Sequence, residues 1–130
     1  MRKWIGVGAF GVLLGCGGPG PFIAGGELSG EVVREPVEDW SFADDRFIDL
    51  ETRPEDPYSV ELNYIVRDGK LYIDPAPGRT WFEYLKANPR VRVRFDDKIY
   101  PVTAVLVGKP GELPGFDADR FIYRLDSRTD

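Results

Sequence analysis

The sequence contains no histidine and a single cysteine, Cys16. Without imidazole there is no histidine base for catalysis and no histidine ligand for a metal or haem. A lone cysteine finds no disulfide partner within the chain and cannot build a zinc cluster. Serines are few and no G-x-S-x-G elbow occurs, so hydrolases built on serine, cysteine or histidine and metalloenzymes built on histidine or cysteine are poor readings. Long apolar runs are missing as well. Residues 4–14 are apolar, but a bilayer-spanning helix needs about 20 such residues. Helix signals are scarce, with one convincing start. Fifteen glycines and eleven prolines, many between short alternating runs, favour strands and turns. Basic charge is also short, at 17 Lys and Arg against 22 Asp and Glu.

What is present begins with an export signal. Arg2 and Lys3 form a positive start, and the apolar stretch behind them ends in Leu13-Leu14-Gly15-Cys16. This ending resembles the lipobox of bacterial lipoproteins. The resemblance implies that residues 1–15 are a cleaved signal peptide and that Cys16 becomes the acylated first residue. It further implies a protein of the cell envelope, lipid-anchored through Cys16 to the extracytoplasmic side of a membrane. Gly17 stands where enterobacterial lipoproteins kept in the inner membrane carry aspartate, which favours the outer membrane in a Gram-negative cell. The alternative is an ordinary secretory signal, or a short anchor, with an incidental cysteine. Removing residues 1–15 takes away Arg2 and Lys3 and no acid, leaving 15 basic and 22 acidic residues and a net charge of −7. Such a chain is not expected to bind nucleic acid or to dock broadly on anionic lipid, since both need basic surface.

Residues 16–26, the cysteine and GGPGPFIAGG, read as lipid attachment and flexible tether. Residues 27–130 are long enough for one domain with a modest core. Val32, Val33 and Val37 around Pro36 predict a short edge strand. Trp40 and Phe42 alternate with Asp39 and Ser41, and both rings are expected in the core. Residues 47–53 (FIDLETR) and 58–66 (YSVELNYIV) read as strands, with Val60, Leu62 and Tyr64 on one face of the second. Asp68-Gly69 tolerates the positive φ of a primed hairpin turn and leads into a strand over residues 71–74. Thr80-Trp81-Phe82-Glu83 spells a capping box, and Asn88-Pro89 stops the helix after about two turns. Val91, Val93 and Phe95 then alternate with Arg90, Arg92 and Arg94, the pattern of a strand with one dry face. The arginine face is expected to be solvated and offset by acids such as Asp96 and Asp97, or to lie in a subunit interface. A long strand follows to Val107. Residues 109–115 read as a loop, 117–120 as one helical turn, 121–126 as the last strand and 127–130 as a free tail. About seven strands and one short helix make a mainly β (α+β) domain, a small barrel or sandwich.

The run LYIDPAPGRTWFEYLKANPRVRVRF, followed by YPVTAVLV, resembles the split β-barrel of the pyridoxamine 5′-phosphate oxidase-like superfamily. That superfamily includes flavin- and deazaflavin-dependent oxidoreductases. The likeness spans residues 40–126 and lies in the succession of strand, polar loop with a base, short helix ending in Asn-Pro, and Val-rich strand. It implies a small split β-barrel of six to seven strands, and a homodimer with a cofactor cleft between subunits. The implied cofactor is FMN or a deazaflavin, with no metal or haem. By the same resemblance the cofactor-binding candidates are Arg79, Thr80 and Trp81. Arg79 and Thr80 would hold a phosphate at the helix start, and Trp81 would lie against a flat ring. The plain alternatives are a solvent-facing arginine beside an ordinary N-cap, and a tryptophan packed in the core or a dimer interface. Residues 58–66 carry no Arg or Lys, where the oxidases place phosphate-binding bases. A cofactor-free split-barrel lipoprotein, acting as a binding or structural module, therefore stands beside the flavin reading. No catalytic residue is singled out, because a flavin carries the hard chemistry itself.

Overall fold

A curled β-sheet dominates the computed structural model, which describes residues 18–21 and 23–129. The expected signal peptide and Cys16 lie outside the described residues. The elements are β1 (Glu31–Val32), β2 (Ile48–Thr52), β3 (Tyr58–Leu62), β4 (Ile65–Arg67), β5 (Lys70–Ile73), α1 (Thr80–Ala87), β6 (Arg90–Phe95), β7 (Lys98–Gly108) and β8 (Ile122–Ser127). Seven strands follow one antiparallel path, β3-β2-β6-β7-β8-β5-β4. β1 runs parallel to the start of β7, pairing Glu31 with Lys98 and Val32 with Ile99. β8 takes the rest of that β7 edge, from Val102 onward.

The two ends of the path, β3 and β4, are neighbours in sequence, separated by Asn63 and Tyr64. The single strand expected over residues 58–66 therefore breaks. Its first half pairs with β2 and its second with β5. One bent segment thus serves both ends of the sheet, and the sheet curls into the half-barrel of a split β-barrel. Val60, Leu62 and Tyr64 still pack against the core, as their spacing predicts.

The core fills the concave side. Val91, Val93 and Phe95 of β6 are 4% exposed or less and meet Leu50, Leu71, Ile73 and Val102. α1 adds Phe82 and Leu85, each buried and three residues apart on one helix face. Burial of each is worth roughly 1.5–3 kcal/mol. The Phe82 ring lies 5.2 Å from Phe121 and 5.7 Å from Tyr123. Trp40 is buried as expected, edge-on to Tyr100 at 5.4 Å. Phe42 is not buried. Residues 40–43 form a turn, in which the Ala43 amide donates to the Trp40 carbonyl, so strand alternation does not apply there. Phe42 covers Trp40, Phe95 and Tyr100 from outside and stays 51% exposed.

Other local expectations divide in the same way. Asp68 and Gly69 adopt φ of 53° and 77°, as a primed turn between β4 and β5 requires. Thr80 is not the helix cap. Arg79 is the N-cap, in an extended conformation, and its carbonyl accepts the Phe82 and Glu83 amides at 3.1 and 3.3 Å. Thr80 thus becomes the first helical residue, and Glu83 pairs with Lys86 at 3.0 Å instead of reaching back. Residues 117–120 form a turn without a helix, because Asp117 Oδ1 accepts the Asp119 amide at 2.9 Å. The tail is held as well: the Arg128 amide donates to Pro101, and its guanidinium to the carbonyls of Val102 and Val91.

Contact with the sheet begins inside the stretch read as a tether. Gly25 and Ser59 exchange two backbone hydrogen bonds of 2.9 Å, and Ser59 Oγ donates to the Gly26 carbonyl at 2.8 Å. Leu28, 4% exposed, follows directly.

Candidate functional site

The charged face of β6 is committed to β2. Register sets Arg92 opposite Glu51 and Arg94 opposite Asp49. Arg92 donates to Glu51 through Nε at 2.7 Å and Nη2 at 3.0 Å, while Arg94 donates to Asp49 Oδ2 at 3.0 and 2.7 Å. These planar two-point pairs are strong, charge-assisted contacts. The bond to Glu51 pushes the Arg92 pKa up, against desolvation that pulls it down. The partners are therefore the cross-strand acids and not Asp96 and Asp97. Asp49 and Glu51 share the two-residue period of the arginines, which is the sequence signal for them. Only the strand pairing, unknown from sequence, converts that signal into contacts.

The head of α1 is different. Arg79 and Thr80 are both exposed, and Trp81 is half-buried with its ring centroid 6.2 Å from Phe82. Among the described residues the Arg79 guanidinium has no hydrogen bond or ion pair, as is also true of Arg34 and Arg46, whereas those of Arg53, Arg67, Arg92, Arg94, Arg120 and Arg124 are all tied. A helix start also leaves its first amides without intrahelical acceptors, so Arg79 stands beside donors and the positive end of the dipole. The loop that delivers it, Asp74-Pro75-Ala76-Pro77-Gly78, leaves β5 at Asp74. Burial raises the Asp74 carboxyl above its ordinary pKa, with Arg120 opposing from 3.8 Å.

Two concave regions lie elsewhere. A groove of about 600 Å³ runs between residues 36–40 and β5/β8, lined by Val37, Trp40, Lys70, Arg124 and Asp126 among others. A smaller hollow of about 260 Å³ is lined by Glu27, Glu51, Arg90, Arg92 and Arg128 with two prolines. Neither reaches Arg79, Thr80 or Trp81. Arg79 and Thr80 offer a guanidinium, a hydroxyl and helix-start amides, the kinds of group that take a phosphate. Among the described residues no group of three or more His, Cys, Asp or Glu side chains is arranged to hold a metal.

Residues 48–127 thus define a protein of the split β-barrel class. No protein-family model matches the chain, and no curated protein does either. Among solved structures, an FAD-binding protein from Mesorhizobium loti is similar at 20% identity and a TM-score of 0.49, over 66% of this chain and 82% of that one. At that level the likeness assigns neither a family nor a ligand.

Proposed function

We propose that this is a lipid-anchored split-barrel protein that holds FMN or a deazaflavin at the head of α1. Arg79 and Thr80 take the phosphate, and Trp81 borders the ring. The observation that carries the reading is an uncommitted guanidinium, that of Arg79, at the N-cap of the helix. A second copy of the chain completes the cleft, as the split-barrel resemblance implies, and the groove and the smaller hollow described above both lie away from Trp81. The cofactor supplies two-electron transfer, and the protein contributes binding and orientation. Anchoring is through the acylated Cys16.

A second reading rests on the β6 face. Arg92 and Arg94 are consumed by Glu51 and Asp49, and β3 carries no base at all. Arg79 alone at the head of α1 is a small foothold for a phosphate, which favours a cofactor-free binding or structural module. Titrating FMN and riboflavin into wild type and Arg79→Ala, followed by tryptophan fluorescence, separates the two. Arg79→Ala should weaken FMN by about 1.5–3 kcal/mol, the size of a lost charge-assisted bond, and leave riboflavin unchanged. If neither FMN nor a deazaflavin binds wild type in the micromolar range, the module reading stands. Light scattering tests the dimer, and the mass of the N-terminal peptide tests acylation at Cys16.

A further inference from the structure

The larger groove takes no part in the flavin reading or in the anchor. Residues 37–40 cross the ends of β5 and β8 as a strap tied at both of its ends. The Val37 amide donates to Ser127 Oγ and the Trp40 amide to the Gly69 carbonyl, each at 2.9 Å. Trp40 also sinks its ring into the core, at 3% exposure. The strap is therefore fixed, and the groove of about 600 Å³ between it and the strands has the size that small-molecule sites take.

Its charges come in both signs on two walls. The strand wall carries Lys70 at the start of β5, and Arg124 and Asp126 on β8; the strap carries Glu38. Arg124 and Asp126 are already joined, Nε to Oδ1 at 2.7 Å and Nη2 to Oδ2 at 2.9 Å, which orients the guanidinium and leaves Nη1 as a donor. Lys70 and Glu38 are exposed and, among the described residues, make no hydrogen bond or ion pair. Exposed Pro36 and half-buried Val37 add an apolar surface beside Glu38. An anion in this groove would meet the carboxylates of Glu38 and Asp126, and a cation would meet Lys70 and Arg124. The four charges sum to zero, so among charged ligands one that carries both signs is the one complemented at both walls.

We propose that this groove is a binding site for small zwitterions, an amino acid or a short peptide. The ammonium faces Glu38, the carboxylate faces Lys70 and Arg124 Nη1, and an apolar side chain rests on Pro36 and Val37. The site is independent of flavin binding and of acylation, and its failure would leave both untouched.

The test follows backbone amide NMR shifts of the full-length protein in a non-ionic detergent. The probes are valine, valyl-valine, N-acetyl-valyl-valine and valyl-valinamide. Valyl-valine should move the amides of Glu38, Lys70, Leu71 and Asp126. Blocking either end should weaken binding about fivefold, the upper end for one exposed ion pair. Lys70→Gln should weaken valyl-valine by the same factor and leave valyl-valinamide unchanged. Glu38→Gln should weaken valyl-valine and leave the acetylated peptide unchanged. Both side chains are exposed, so neither change threatens the fold. Valine bound as tightly as valyl-valine would support the site and assign it to free amino acids, whereas tighter binding of valyl-valine would assign it to peptides. Groove amides that stay still with all of these ligands at millimolar concentration overturn the proposal. So do blocked peptides that bind as tightly as valyl-valine, or variants that weaken every ligand alike.

Discussion

Glu51→Gln keeps the shape of the side chain and removes its charge at a place where three donors converge. Glu51 is 4% exposed and accepts Arg92 Nε at 2.7 Å, Arg92 Nη2 at 3.0 Å and the Leu28 amide at 2.7 Å. A glutamine has one acceptor oxygen for these donors, and its amide must point at one of them. Breaking a buried pair from one side costs about 3–5 kcal/mol. The Arg92 side chain is 24% exposed, so water recovers part of the loss and the expected cost is near the lower end, about 3 kcal/mol. Urea unfolding of a chain beginning at residue 17 should show the midpoint falling with an unchanged slope. Replacing both partners, as Glu51→Leu with Arg92→Met, should cost less than the two single changes summed, since no charge is then left stranded. A Glu51→Gln protein within about 0.5 kcal/mol of its background would refute the reasoning, as would strict additivity of the double change.

Phe82→Ala should cost about 3–5 kcal/mol in the same assay, because it empties the contact of α1 with Phe121 and Tyr123. Thr80→Ala should stay within about 0.5 kcal/mol, because Thr80 makes no cap; a loss of a full cap energy would restore the capping box. Asp74 has its carboxyl raised above the ordinary 3.8, chiefly by burial. An acid raised on folding favours the folded state while protonated, below 3.8, and that contribution disappears as pH rises through the folded value. Asp74→Asn should therefore be more stable than its background at neutral pH, with the advantage vanishing below pH 3.8. An Asp74→Asn protein less stable at neutral pH would show instead that the Arg120 contact dominates.

Features set by a few adjacent residues were legible in the sequence. The Asp68-Gly69 turn needs only positive φ, the end of α1 needs only Asn88-Pro89, and the dry face of β6 needs only alternation. Features that depend on distant partners were not. Arg92 meets Glu51 across 41 positions, and no local pattern says which strand lies beside which. The same limit hid the character of Arg79, since a free guanidinium and a committed one are spelled alike. Thr80 misled for another reason. The capping-box pattern is present, but Arg79 takes the extended conformation and supplies the carbonyl that starts the helix, one residue too early for Thr80 to cap.

The strand order has a consequence for when this molecule can come into being. The β4–β5 hairpin joins the rest of the sheet through β8 alone, by pairings such as Leu71 with Leu125 and Ile73 with Tyr123. β2 likewise waits for β6, some 40 residues downstream. A chain emerging from its N-terminus can therefore form hairpins but cannot close the half-barrel until Ser127 is free. Sheets assembled from such remote pairings fold in roughly milliseconds to seconds.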